Sequence, residues 1–225
     1  TPMTTIGGFI DGILDGAIPP EKYEHYLGII ASEVRRLSRL VNSLLEITRI
    51  QAGERKFNME SFDIAEMARE ILISNEQRIE KKHLDVSFEC DNDRMFFYAD
   101  RDAIYQILYN LCDNAVKFSR DGGAYKISII AKAGKVYTSV YNEGQGIADD
   151  DIEHVFDRFY KSDKSRGLDK TGTGLGLYIA KTIIDAHHEE IWVRSVYGKF
   201  CEFVFTLPQT HDPRGDELVP TAPLK

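Results

Sequence analysis

Tyr23, Leu27, Ile30, Val34, Leu37, Val41, Leu44 and Thr48 recur in alternating steps of four and three without a break. On an α-helix such a row forms a heptad seam, a narrow stripe that another helix must cover. The shorter segment Ile6 to Leu14 supplies one partner, turning back at Gly16-Ala17-Ile18-Pro19-Pro20, and Pro20 and Glu21 suit a helix start. A second copy of the chain would complete a four-helix bundle. A hairpin packed only on whatever follows it is the alternative. Gln51-Ala52-Gly53 closes the region, so the expected dimerisation helices occupy residues 1–52.

The pattern then changes to a mixture of periods. Asp63 to Glu66 resembles a capping box opening a helix that runs to about Lys82. Leu84 to Cys90 and Met95 to Ala99 read as strands, and Asp100 is placed to cap a helix carrying Ile104, Ile107, Leu108, Leu111 and Ala115. Tyr125–Ala131 and Val136–Tyr141 flank Gly134-Lys135 as one hairpin; Ile191–Tyr197 and Phe200–Leu207 flank Gly198-Lys199 as another. Hairpins and three helices on one face predict an α+β, two-layer sandwich with a mixed sheet over residues 53–208. From Gln209 to Lys225 the chain is polar and carries Pro213, Pro220 and Pro223, the composition of a disordered tail.

Two segments carry the chemistry. In Asn110-Leu111-Cys112-Asp113-Asn114-Ala115-Val116-Lys117-Phe118 the two asparagines lie one turn apart on one helical face, offering amide oxygens to a hard cation. Lys117 follows within a turn and can meet phosphate. Gly172-Thr173-Gly174-Leu175-Gly176-Leu177 opens onto the helical pattern Tyr178 to Ile184, so unpaired N–H groups at a helix start face any anion there. Neither segment is a P-loop or a Rossmann turn. Cys112, between the asparagines, reads as a packing residue.

These segments, with Asn142-Glu143-Gly144-Gln145-Gly146-Ile147 and Phe156-Asp157-Arg158-Phe159-Tyr160, stand in the order of the N box, first glycine box, F box and second glycine box of bacterial sensor histidine kinases. Nearly the whole chain resembles the catalytic half of that family. The resemblance implies a helical hairpin followed by the Bergerat-type ATP-binding fold. It also implies ATP and Mg²⁺ as cofactors, with Asn114 and Asn110 as metal ligands. Asn110, Asn114, Lys117, Phe118, Asn142, Gly144, Gly146, Ile147, Arg158, Tyr160 and Gly172, Thr173, Gly174, Leu175, Gly176, Leu177 would form the nucleotide site, Lys117 and Arg158 meeting phosphate. Gly144 and Gly146 would let the backbone pass close under the base.

Further expectations follow from the same resemblance. Phe159 to Thr171, with Lys161, Lys164, Arg166, Gly167 and Lys170, looks like a lid whose base Phe156, Phe159 and Tyr160 anchor by burial. The phosphoacceptor histidine would lie upstream of Thr1, making Thr1 the motif's threonine, a position that helps dephosphorylate the response regulator. His25 carries no neighbouring carboxylate in the family arrangement. The parent would hand phosphate on to a receiver-domain aspartate, act as a homodimer and be anchored in the cell membrane only through upstream segments, with this part on the cytoplasmic side.

Two departures from the family pattern stand out. Asn142 replaces the aspartate that accepts from the adenine amino group, which exchanges a charged acceptor for an amide able to accept or donate. His187-His188-Glu189 replaces a His-Gly pair, and adjacent histidines cannot share a helical face. Two rivals stay open: a conformational ATPase of the same superfamily, in which Asp113 or Asp102 activates water, and a degenerate dimeric scaffold.

Composition narrows the field. A net charge of −8 over 225 residues, with no basic stripe, argues against nucleic acid as partner. Three cysteines without framework spacing read as reduced thiols. No apolar run approaches the roughly 20 residues of a membrane helix.

Overall fold

The computed structural model describes residues 2–162 and 172–210. Helix α1 (Pro2–Leu14) begins earlier than the apolar pattern suggests, and a short 3₁₀ turn (Pro20–Lys22) leads into α2 (Tyr23–Gln51). The two helices run back along each other, with the rings of Phe9 and Tyr26 4.9 Å apart. Among the described residues no helix is long and apolar enough to cross a membrane.

Strand β1 (Met59–Asp63) has no counterpart in the sequence reading. It pairs antiparallel with β3 (Phe96–Asp100) as a separate two-stranded sheet, so β3 stands outside the main sheet. The helix expected over Asp63–Lys82 is two: α3 (Ile64–Ser74) and α4 (Glu76–Lys81). Asn75 breaks it. Its Nδ2 donates to the Ile71 carbonyl at 3.0 Å, and side-chain competition for backbone carbonyls of this kind interrupts helical continuity. Asp63 caps α3 through Ala65 N–H at 2.9 Å and also accepts from Met95 N–H at 3.0 Å, tying helix start to strand start.

The main sheet has the order β2-β4-β5-β7-β6, from β2 (Asp85–Cys90), β4 (Ala124–Lys132), β5 (Lys135–Glu143), β6 (Ile191–Val196) and β7 (Phe200–Pro208). Only β2 and β4 pair in parallel, which makes the sheet mixed. Strand parity sorts its faces. Val136, Thr138, Val140 and Asn142 point inward from β5, register-paired with Ala131, Ile129, Ile127 and Tyr125 on one side and Leu207, Phe205, Phe203 and Cys201 on the other. Helices α3, α5 (Arg101–Phe118) and α7 (Gly176–Ala186) contribute their apolar faces to the same core, while the one-turn α6 (Asp149–Ile152) lies at its edge. The helical hairpin joins this core at one point. Ile47 of α2 is fully buried, with Leu40, Leu44 and Ile50 packed beside it.

Candidate functional site

Helix α5 is built to present one polar face. Its start is fixed by Asp100, which accepts from Ala103 N–H and Asn58 N–H, both at 2.8 Å. Ala103, Ile104, Ile107, Leu108, Leu111, Cys112, Ala115 and Val116 are buried, which leaves Asn110, Asp113, Asn114 and Lys117 on the opposite stripe. Its end is fixed by a cation: Lys82 Nζ donates to the carbonyls of Lys117 and Ser119, both at 2.8 Å, where the helix dipole is negative. Burial pulls the Lys82 ammonium below the ordinary lysine value, with Asp121 opposing that shift and Arg78 adding to it.

That stripe borders a cavity of about 780 Å³. Of the residues expected at the site, Asn110, Asn114, Lys117, Phe118, Asn142, Gly146, Ile147, Tyr160, Gly172, Thr173, Gly174, Gly176 and Leu177 line it together. Asn110 Nδ2 donates to the Gly176 carbonyl at 3.4 Å, which joins α5 to the start of α7. Lys117 donates to Asp113 at 3.1 Å, and Arg78 grips the same carboxylate at 2.7 Å.

Asn142, the last inward residue of β5, is 3% exposed on the cavity wall. Cys201, its register partner, also lines the cavity, and burial pushes the Cys201 thiol up to about 12. Cys112 is pushed up equally, to about 12, by complete burial beneath the α5 face. Neither thiol ionises near neutrality, consistent with packing rather than chemistry.

Gly144, Leu175, Arg158 and Phe159 do not line the cavity. A Cβ at Gly144 would sit 2.1 Å from the Phe118 carbonyl, and one at Gly146, where φ is +62°, 2.3 Å from the Val196 carbonyl. These glycines therefore let the loop thread between the end of α5 and the β6–β7 turn, and Gly144 does not reach the cavity wall. Leu175 is fully buried, a core residue at the start of α7. Arg158 lies off the cavity: it donates to Gln51 at 3.3 Å and to the Tyr178 hydroxyl at 3.2 Å, its guanidinium 5.0 Å over the Tyr178 ring. Phe159 does not bury its ring; it is 51% exposed with φ at +65°, and its N–H donates to the Gly174 carbonyl at 3.0 Å.

Phe156, by contrast, packs edge-on against Phe203. Tyr160 donates to Asp151 on α6, and both residues line the cavity. Thr1, the lid residues Lys164, Arg166, Gly167, Lys170 and Thr171, and residues 211–225 lie outside the described residues. His187 is half-buried, its Nδ1 2.8 Å from the Ile183 carbonyl, and among the described residues no cluster of His, Cys, Asp and Glu could hold a metal.

The sequence reading missed one whole wall. Arg39, Asn42, Ser43 and Glu46 of α2 face the cavity, as do Arg78, Gln106 and Gln145. Glu46 accepts from Gln106 at 2.8 Å, and Gln51 donates to Tyr178 at 2.8 Å, so the hairpin is hydrogen-bonded to the sandwich on both sides of Ile47. These α2 residues share one helical face, but a polar face carries no sign in the sequence of what it meets. Gln145 stands inside the motif Asn142 to Ile147, of which the sequence singles out Asn142, Gly144, Gly146 and Ile147.

The chain matches two family models. Residues 1–53 fit the His Kinase A (phospho-acceptor) domain, and residues 99–211 fit the histidine kinase-, DNA gyrase B-, and HSP90-like ATPase. This chain belongs to the sensor histidine kinases. Among curated relatives of this chain, WalK of Bacillus subtilis is 33% identical over 96% of the chain, and SrrB of Staphylococcus aureus 35% identical over 93%. The chain spans 36% of the length of each of these relatives. Its fold resembles the Acinetobacter baumannii histidine kinase AdeS, with a TM-score of 0.77 at 27% identity over 94% of this chain and 96% of that one. It also resembles ShkA in complex with AMPPNP (TM-score 0.73, 26% identity, 87% and 40% covered) and ThkA in complex with the response regulator TrrA (0.73, 31%, 93% and 58%).

Proposed function

We propose that this segment of a sensor histidine kinase binds Mg·ATP in the cavity and presents its γ-phosphoryl group to a histidine imidazole. The P–O bond to the leaving ADP would break as the N–P bond forms, and the phosphoryl group would pass on to a response-regulator aspartate. One observation carries the reading: a single cavity gathers the polar face of α5, the glycine run at the start of α7 and the buried amide of Asn142. The α7 N–H groups and Lys117 are suited to polyphosphate, and positioning with charge neutralisation is what phosphoryl transfer needs. Asn114 and Asn110 would hold Mg²⁺ through neutral amide oxygens, the phosphates and water completing its shell. Mg²⁺ would neutralise charge developing on the transferred group.

Dimerisation through the hairpin is supported by Leu27, Val34 and Val41, seam residues 47–53% exposed in the single chain. A receiver-domain partner is supported by the ThkA–TrrA complex. A membrane-anchored parent rests on the sensor-kinase relatives, whose length this chain covers only in part. The conformational-ATPase reading is weakened by Asp113, which both Arg78 and Lys117 engage, and by Asp102, which is exposed and off the cavity.

Calorimetric titration with ATP tests the proposal. Binding should require Mg²⁺ and weaken about 10- to 100-fold in Asn114→Ala, the scale for losing one group that supports a bound metal. Binding indifferent to both Mg²⁺ and Asn114 would sink it.

A further inference from the structure

Two residues that line the cavity each carry a buried side-chain polar atom with no partner among the described residues. Asn142 Nδ2 is one, in a residue 3% exposed; Gln145 Oε1 is the other, also buried. One is a donor and the other an acceptor. Buried polar groups in native proteins are paired, so an orphan donor and an orphan acceptor in residues lining one cavity point to a ligand edge that supplies both.

The backbones behind these groups are fixed. Asn142 is held in β5 between β4 and β7. Gln145 N–H donates to the Phe118 carbonyl at 3.3 Å, and its own carbonyl accepts from Gly198 N–H at 2.7 Å. The unmet capacity therefore belongs to the side chains.

Building on the reading of this cavity as an ATP site, we infer that Asn142, backed by Gln145, reads the six-position edge of a purine in either sense, so that the site takes 6-oxopurine nucleoside triphosphates as well as ATP. Adenine presents an N6 amino donor beside the N1 acceptor. Hypoxanthine and guanine present the reverse, an O6 acceptor beside an N1–H donor. A carboxylate only accepts, so it suits the amino edge and repels O6. A carboxamide carries one donor and one acceptor, and half a turn about its terminal torsion exchanges them. Asn142 meets adenine with Oδ1 on N6–H and Nδ2 on N1, the same two-point logic by which asparagine reads adenine in DNA. It meets the oxo edge with Nδ2 on O6 and Oδ1 on N1–H. The two register partners of Asn142, Tyr125 and Cys201, bring no charge to bias the choice, since burial keeps the Cys201 thiol neutral.

The test is the dissociation constant of this chain for ATP and ITP in Mg²⁺, beside Asn142→Asp, with folding checked by circular dichroism. ITP is preferred to GTP because it lacks the 2-amino group, so a steric clash there cannot be mistaken for edge reading. The parent should bind ATP and ITP within about fivefold of each other. In N142D the ratio of the ITP to the ATP dissociation constant should rise at least about tenfold, the scale of one hydrogen bond to a charged group. A parent that binds ATP but discriminates against ITP by about a hundredfold overturns the inference and leaves the ATP reading standing; that ratio needs no variant. An unchanged ratio in folded N142D removes Asn142 as the determinant. If neither protein binds either nucleotide, the ATP reading falls together with the inference.

Discussion

The helical hairpin and the sandwich satisfy the same hydrophobic requirement in opposite ways. Along α1 and α2, Ile47 is the one described residue that is buried, while Leu27, Val34, Val41 and Leu45 stand about half exposed. A helix of similar chemistry in the sandwich, α5, buries its whole apolar stripe against α3, α7 and the sheet. A heptad seam is narrow and straight, matched to another helix of the same kind, whereas α5 carries the wider stripe that a sheet and neighbouring helices cover. The sandwich closes its core with Ile47 as the one buried residue from the hairpin, whereas the hairpin's own seam stands open in the single chain. Ile47 is the point where the two solutions meet.

Substitutions can break that comparison in order of expected size. Phe97→Ala removes a fully buried ring packed edge-on against Phe62 at 5.0 Å and should lower sandwich stability by about 3–5 kcal/mol in urea unfolding. A loss under about 1 kcal/mol would mean that the small β1–β3 sheet is peripheral rather than part of one core. Ile47→Ala should cost about 2–4 kcal/mol of packing and speed amide exchange selectively in the second half of α2. Uniform exchange along the helix would show that Ile47 does not couple the two regions.

The smallest effect on the sandwich should come from the largest change to the hairpin. Leu27→Glu combined with Val34→Glu places charge on the exposed seam and should shift sandwich unfolding by no more than about 0.5 kcal/mol. Light scattering should meanwhile show the mass falling from two chains to one. An unchanged mass would remove the bundle reading while leaving the nucleotide site untouched.

Much of the fold was legible because it rests on short-range rules. Asp100 as a cap, the apolar stripe of α5 and the two hairpins follow from period and turn chemistry within a few residues. The sequence reading failed where a residue's role depends on a distant backbone. One failure is local instead: Asn75 interrupts a helix by bonding the Ile71 carbonyl, in a window whose apolar periodicity argued for continuity. Met59–Asp63 becomes a strand only because β3 lies alongside it. The site divides in the same way. Asn110, Asn114 and Lys117 were found from helical spacing, while Arg158, a cation in a motif, turned out to bridge Gln51 and Tyr178.

The residue types and their spacing were enough to determine the seam, the α/β sandwich, the polar face of α5 and the glycine run ahead of α7, because each is a local pattern that any fold must respect. Tertiary structure alone decided that α2 walls the cavity, that Gly144 and Gly146 serve chain crossing, and that Asn142 and Gln145 are left with an unpaired donor and acceptor. Those outcomes depend on which surfaces meet and which polar atoms lose water when they do, and neither is encoded in the spacing of residues along the chain.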